Sequence, residues 1–194
     1  MGLFGKRNPD LEKLADILRQ SVVALFKERG EINFSEQPRM ERKQIIEYEG
    51  KIRANGIERF DGEVTYVSAV NFYASTADLE KKKTLGVLIV YVEQAFLPRL
   101  MKLLQYPPVD DENEQAMLDS IGTLCNIVSG RFKSEIKAGG HIDLEMSHFI
   151  NYRNNAVVGI DFCKNEYEYY EIDCFIDGQK RVCFDMSMGI IPKC

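Results

Sequence analysis

Histidine is scarce in this chain: only His141 and His148 occur among 194 residues. A Ser/His/Asp triad or a histidine-built metal site therefore has little material, because such sites need several groups converging in space. Cysteine does not fill the gap. The five cysteines, Cys125, Cys163, Cys174, Cys183 and Cys194, are odd in number and show neither a C-x-x-C pair nor the usual zinc spacings. They read as reduced core thiols of a cytoplasmic protein, and no metal site is expected. No phosphate-cradling glycine loop appears, so no nucleotide cofactor is implied. A basic excess is missing too. The formal charge of -5 disfavours nucleic-acid and anionic-membrane partners, both of which want clustered Lys and Arg. The one basic run, Lys81-Lys82-Lys83, reads as a solvated turn between strands. Long apolar runs are absent as well: the longest, Leu85 to Val92, is strand length and far short of a membrane span. The opening Met-Gly-Leu-Phe-Gly-Lys-Arg lacks a signal-peptide core and places Lys6 where a myristoylation motif wants Ser or Thr. The expected protein is neither exported nor anchored.

What is present suits one well-buried domain, with 45% apolar and 28% charged residues. Residues 1–9 read as a flexible lead. An amphipathic helix is predicted from about Asp10 to Arg29, with Leu11, Leu14, Ala15, Leu18, Val22, Leu25 and Phe26 at helical spacing, Asn8 as cap and Gly30 as stop. The polar stretch Ser35 to Lys43 follows, then an extended segment over Gln44 to Ala54. Val64 to Tyr73 and Leu85 to Val92 are rich in β-branched and aromatic residues and predict a hairpin. A short helix from Gln94 to Leu104 tolerates Pro98 only in its first turn. A long helix is predicted from about Asp111 to Lys137, with an acidic start and Gly139-Gly140 at its end. Strands are expected at His141 to Tyr152, Ala156 to Phe162, Tyr167 to Asp177 and Arg181 to Met188, with Asp177-Gly178 as a turn that Gln179 and Lys180 can lengthen. The fold class is α+β, helices packed on one face of a mainly antiparallel sheet, in a single domain over 1–194.

On the long helix Asp119, Thr123 and Asn126 fall within roughly 60° of one another, and Gln115 and Gly130 extend that stripe. Met117, Ile121, Leu124, Val128 and Phe132 take the other side, so the polar stripe points outward. From periodicity alone a solvated helix face explains this pattern better than a docking surface does.

The stretch Ser120-Ile121-Gly122-Thr123-Leu124-Cys125-Asn126-Ile127-Val128-Ser129-Gly130 resembles the signature of the CheX/CheC family of chemotaxis phosphatases. That family carries a Ser or Asp, a Glu four residues later and an Asn three residues after that, within Ile-Gly-Glu-x-x-Asn-x-x-x-Gly. Asp119 matches the first position and Asn126 the last, but Thr123 replaces the Glu. Glu114-Gln115-Ala116-Met117 and His141-Ile142-Asp143-Leu144 also resemble the family, whereas His148 stands where it tends to have Pro. The resemblance covers most of residues 10–188 and is strong between about 110 and 145. It implies docking on a phosphorylated response-regulator receiver and hydrolysis of its phosphoaspartate, with any Mg bound by the receiver. Asn126 would position the water, Asp119 and Thr123 would complete the catalytic set, and Gln115 and Gly130 would meet the partner. Thr123 cannot make the carboxylate's charge-assisted contact to a receiver lysine, so docking should weaken. Two readings follow: a weak phosphatase, or an adaptor that binds without hydrolysis. An unrelated α+β domain with a chance match is a third. A second copy of the motif is not visible, since the first helix offers Asp16, Gln20 and Val23 at its spacing. One site per chain resembles CheX and implies a homodimer.

Overall fold

The computed structural model describes residues 8–30, 32–45, 47–48, 51–52, 59–61, 63–153, 160–164 and 166–194. Helix α1 (Leu11–Gly30) comes first, its buried stripe running from Leu11 through Leu18 to Phe26 as the spacing predicts. Three short strands follow, β1 (Arg39–Gln44), β2 (Glu47–Tyr48) and β3 (Lys51–Ile52). Then come β4 (Thr65–Tyr73), the short helix α2 (Thr76–Glu80), β5 (Gly86–Glu93) and α3 (Leu97–Leu103). The long helix α4 (Glu114–Ala138) leads into β6 (Glu145–Met146), β7 (Ile150–Arg153), β8 (Glu168–Ile176) and β9 (Gln179–Met188).

Seven strands form one antiparallel sheet in the order β1-β8-β9-β5-β4, with β6 and β7 both paired to the outer side of β4. Strands β2 and β3 pair separately. Helices α1, α3 and α4 contribute the apolar side chains that cover one sheet face, meeting Tyr66, Val70 and Phe72 of β4, Leu88, Val90 and Val92 of β5, and Phe184 and Met186 of β9. Phe132 of α4 meets Phe72 edge-on, with ring centroids 5.9 Å apart. The other face is also covered: Val67, Ala69, Val87, Ile89 and Tyr91 pack with Phe60, Ile160 and Phe162. Burial of both faces explains why β4 and β5 read as continuous apolar runs and not as alternations.

Several boundaries differ from the sequence-based expectation. Strand β1 lies, all but its last residue Gln44, inside the stretch Ser35 to Lys43 read as merely polar. It is an edge strand that gives Met40 to the core and pairs two of its cations on its neighbour, Arg42 with Glu168 and Lys43 with Glu171. The strand expected over His141 to Tyr152 is broken. Ser147 interrupts it by donating its N–H to the Asn71 carbonyl and offering its hydroxyl to the Asn71 N–H, both at 3.0 Å. Of Ala156 to Phe162, residues 156–159 lie outside the described residues, and 161–162 are irregular. The Asp177-Gly178 loop is not lengthened, because Ile176 pairs directly with Gln179. Of the lead expected to be flexible, residues 1–7 lie outside the described residues, but Asn8 is buried. Its side-chain N–H groups donate to the Met188 and Gly189 carbonyls at 2.9 Å each, and its Oδ1 accepts from the Asp10 N–H at 2.9 Å.

Candidate functional site

Helix α4 begins three residues later than the expected start at Asp111, because Asn113 caps it, accepting from the Ala116 N–H at 3.2 Å. Its buried side is Met117, Ile121, Leu124, Cys125, Val128, Phe132 and Ile136, which fixes the opposite stripe outward. Gln115, Asp119 and Asn126 are exposed, and Thr123 and Gly130 partly so. A methyl group at Gly130 would meet nothing within 4 Å. Asn126 makes no side-chain hydrogen bond among the described residues, leaving its amide donor and acceptor available.

The remaining stripe residues are engaged with one another. Gln115 Nε2 donates to Asp119 Oδ1 at 2.8 Å, drawing that carboxylate toward the helix N-terminus. Thr123 Oγ1 donates to the Asp119 carbonyl at 2.9 Å, so its hydroxyl serves its own helix. Asp119 thus sits one turn short of the position where the resembled pattern has Glu, and it is turned further from it. The corresponding stripe of α1 is closed off in the same way: Asp16 pairs with Arg19 and accepts from Gln20 Nε2 at 2.6 Å.

One flank of the α4 stripe is walled by β7. Asn151, on the helix side of β7, accepts from the buried Ser68 hydroxyl at 2.7 Å, and its amide fills the space beside Gly122. Burial pushes the Cys125 thiol up to about 12, with the Ser68 hydroxyl beside it lowering the value in part. Sequence reasoning missed Asn151 and Ser68, since neither belongs to the helix motif. The glycine in the middle of a helix was the available signal, because such a residue marks a close approach.

A second polar group lies on the far sheet face. Arg59, with a side chain 7% exposed, bridges Glu171 and Asp185, donating from Nη2 to Asp185 Oδ2 at 2.6 Å. Tyr91 donates its hydroxyl to the same oxygen at 2.9 Å. Burial pushes the Asp185 carboxyl up to about 6 against the opposing pull of Arg59. Glu171, Asp173 and Cys183 bring one potential metal-ligand atom each within 4.8 Å of one another. Lys43 Nζ stands 2.7 Å from Glu171, and Lys180 Nζ 2.8 Å from Asp173, so these carboxylates already have cationic partners. The arrangement is a charge-balanced structural network.

No family model and no curated protein matches this sequence. Solved structures do match in fold. A chemotaxis protein CheX from Vibrio vulnificus superposes with a TM-score of 0.57 at 11% identity, covering 90% of this chain and 97% of that one. A CheX-CheY-BeF3-Mg complex from Borrelia burgdorferi gives 0.52 at 8%, covering 91% and 98%. FliY from Thermotoga maritima gives 0.55 at 12%, covering 95% and 89%. This chain has the fold of the CheX/CheC-like chemotaxis proteins, a fold that FliY carries as well.

Proposed function

We propose that this protein acts in chemotaxis-type two-component signalling in the cytoplasm, docking a phosphorylated receiver domain on the outer stripe of α4 and hydrolysing its phosphoaspartate weakly. The observation that carries this reading is the exposed, unbonded amide of Asn126 on a rigid helix, aligned with Asp119 in a fold shared with a CheX solved together with CheY. In the proposed step water attacks phosphorus, the bond from phosphorus to the receiver aspartate oxygen breaks, and the carboxylate leaves as inorganic phosphate forms. Phosphoryl transfer asks the protein mainly for alignment and electrostatics. Asn126 supplies alignment by accepting from the water while donating to a phosphoryl oxygen. The metal ion needed to neutralise charge belongs to the receiver.

Asn126→Ala tests this. With CheY-type receivers phosphorylated by phosphoramidate, the variant is expected to lose dephosphorylation by about a hundredfold, the scale of one removed positioning group. Its melting temperature should stay unchanged, because an exposed amide with no side-chain hydrogen bond among the described residues contributes little to folding. Wild-type rates in the variant would remove Asn126 from the mechanism.

A second reading is favoured by the engagement of Thr123 with the Asp119 carbonyl and of Asp119 with Gln115. With no free carboxylate at the Thr123 position, the stripe would hold a receiver without turning it over, as an adaptor does. Receiver binding that persists with no excess phosphate release over receiver alone would select this reading. A homodimer leaving both α4 stripes free is the proposed assembly.

A further inference from the structure

Resting on the reading of the α4 stripe as the docking face, we infer that Asn151 is the positioning residue that sets the height and rotation of that stripe, through a fitted seat with Gly122. Gly122 is buried in mid-helix, where glycine costs about 1 kcal/mol relative to alanine. The reason for its presence is geometric. A methyl group there would stand 2.7 Å from Asn151 Nδ2, closer than such contacts allow, and 3.2 Å from Oδ1, tighter than most. The amide therefore occupies the space of the side chain that Gly122 lacks.

That amide is itself fixed. Asn151 is directly opposite Ser68 in the β4–β7 register, and its Oδ1 accepts the Ser68 hydroxyl at 2.7 Å. Ser68 is fully buried on a central part of the sheet, so Asn151 has little freedom to yield. Gly122 lies one turn before Asn126, and at 100° per residue the two are separated by about 40° around the helix. The seat is thus at the edge of the docking stripe and beside the residue assigned to the water. A small displacement of a catalytic group is enough to cost a large factor in rate.

The test is a double-substitution cycle with Gly122→Ala, Asn151→Ala and the pair together, each assayed with CheY phosphorylated by phosphoramidate. The new methyl of Gly122→Ala forces helix and amide apart, and kcat is expected to fall about tenfold with a smaller change in KM. Asn151→Ala should fall a few-fold. In the double variant the methyl introduced by Gly122→Ala enters the vacated space, and kcat should return to within about threefold of wild type, a coupling of the kind expected only for residues in contact. Backbone amide shifts of Thr123 and Asn126, recorded without receiver, should move in Gly122→Ala and move back in the double variant. Should Gly122→Ala fail to fold, recovery of folding in the double variant carries the same information. A double variant no better than Gly122→Ala, or Thr123 and Asn126 shifts unmoved by Gly122→Ala, overturns the seat. A wild-type protein without activity on any receiver overturns the proposed function instead, and the amide shifts still decide the seat.

Discussion

Thr123 is where the proposed docking stripe departs most from the pattern it resembles, and its surroundings decide what replacing it would do. Thr123→Glu removes the hydroxyl bond to the Asp119 carbonyl and brings a second carboxylate one turn from Asp119. The like-charge pair costs roughly 0.2–0.5 kcal/mol, offset by the better helix propensity of Glu. Thermal unfolding should therefore shift little, while receiver dephosphorylation or binding should rise, because the carboxylate restores a charge-assisted contact. No gain with any receiver would remove the role assigned to Thr123. Arg59 has the opposite profile, far from the stripe but central to stability. Arg59→Leu leaves Glu171 and Asp185 buried without their shared cation, and a loss of about 3–5 kcal/mol is expected in denaturant unfolding. Its pH dependence has a definite sign. The Asp185 carboxyl lies near 6 in the fold against 3.8 as the ordinary value, so the folded state holds the extra proton between those limits. Stability therefore falls as pH rises through that window, and without Arg59 the window extends upward. The variant should regain part of its lost melting temperature when pH is lowered from about 7 to about 5; a deficit that is flat with pH would show that Asp185 is not the group left unpaired.

The Asp177-Gly178 turn shows how a short element is dictated by its backbone. Both residues have positive φ, 54° and 77°, as a two-residue hairpin with right-handed strand twist requires. Gly178→Ala should cost roughly 1–2 kcal/mol in unfolding experiments, the penalty for a Cβ in the left-handed region; a neutral result would mean that the loop has another conformation in solution. Elements of this kind, with strong local chemistry, were legible in the sequence: α1, the β4–β5 pair, α4 and the β8–β9 hairpin. Pro98 falls in the first turn of α3 for the same reason. What was not legible depends on partners distant in the chain. Strand β1 is mostly charged, and it pairs with β8, far later in the chain, where Glu168 and Glu171 meet its Arg42 and Lys43. The break at Ser147 depends on Asn71, and the seat under Gly122 on Asn151. The outward stripe of Gln115, Asp119, Thr123, Asn126 and Gly130 was readable from periodicity, but the bonds that occupy Asp119 and Thr123 were not.

Sheet order bears on assembly. Strand β5, whose apolar run would be a hazard at an edge, is interior, between β9 and β4. The edges among the described strands are charged β1 and the broken β6–β7 side, where Ile150 is 43% exposed. A dimer built by sheet pairing would use the second, since charges on an edge strand discourage pairing. Sedimentation equilibrium at micromolar concentration should return twice the 22.3 kDa chain mass, and Ile150→Lys should shift the protein toward monomer. A single species at 22.3 kDa for the wild type would exclude the dimer. The tie between Asn8 and the end of β9 also governs the order in which a ribosome can deliver this fold. Helix α1 precedes the sheet in the chain, yet the Asn8 at its entry is satisfied by Glu166 and by the Met188 and Gly189 carbonyls, and β1 must wait for β8. Until β8 and β9 have been made, the apolar stripe from Leu11 to Phe26 has no finished sheet to cover, and closure requires pairing between strands far apart in the chain. Long-range pairing of this sort folds slowly, so that stripe stays exposed in the nascent polypeptide until the β8–β9 hairpin has left the exit tunnel.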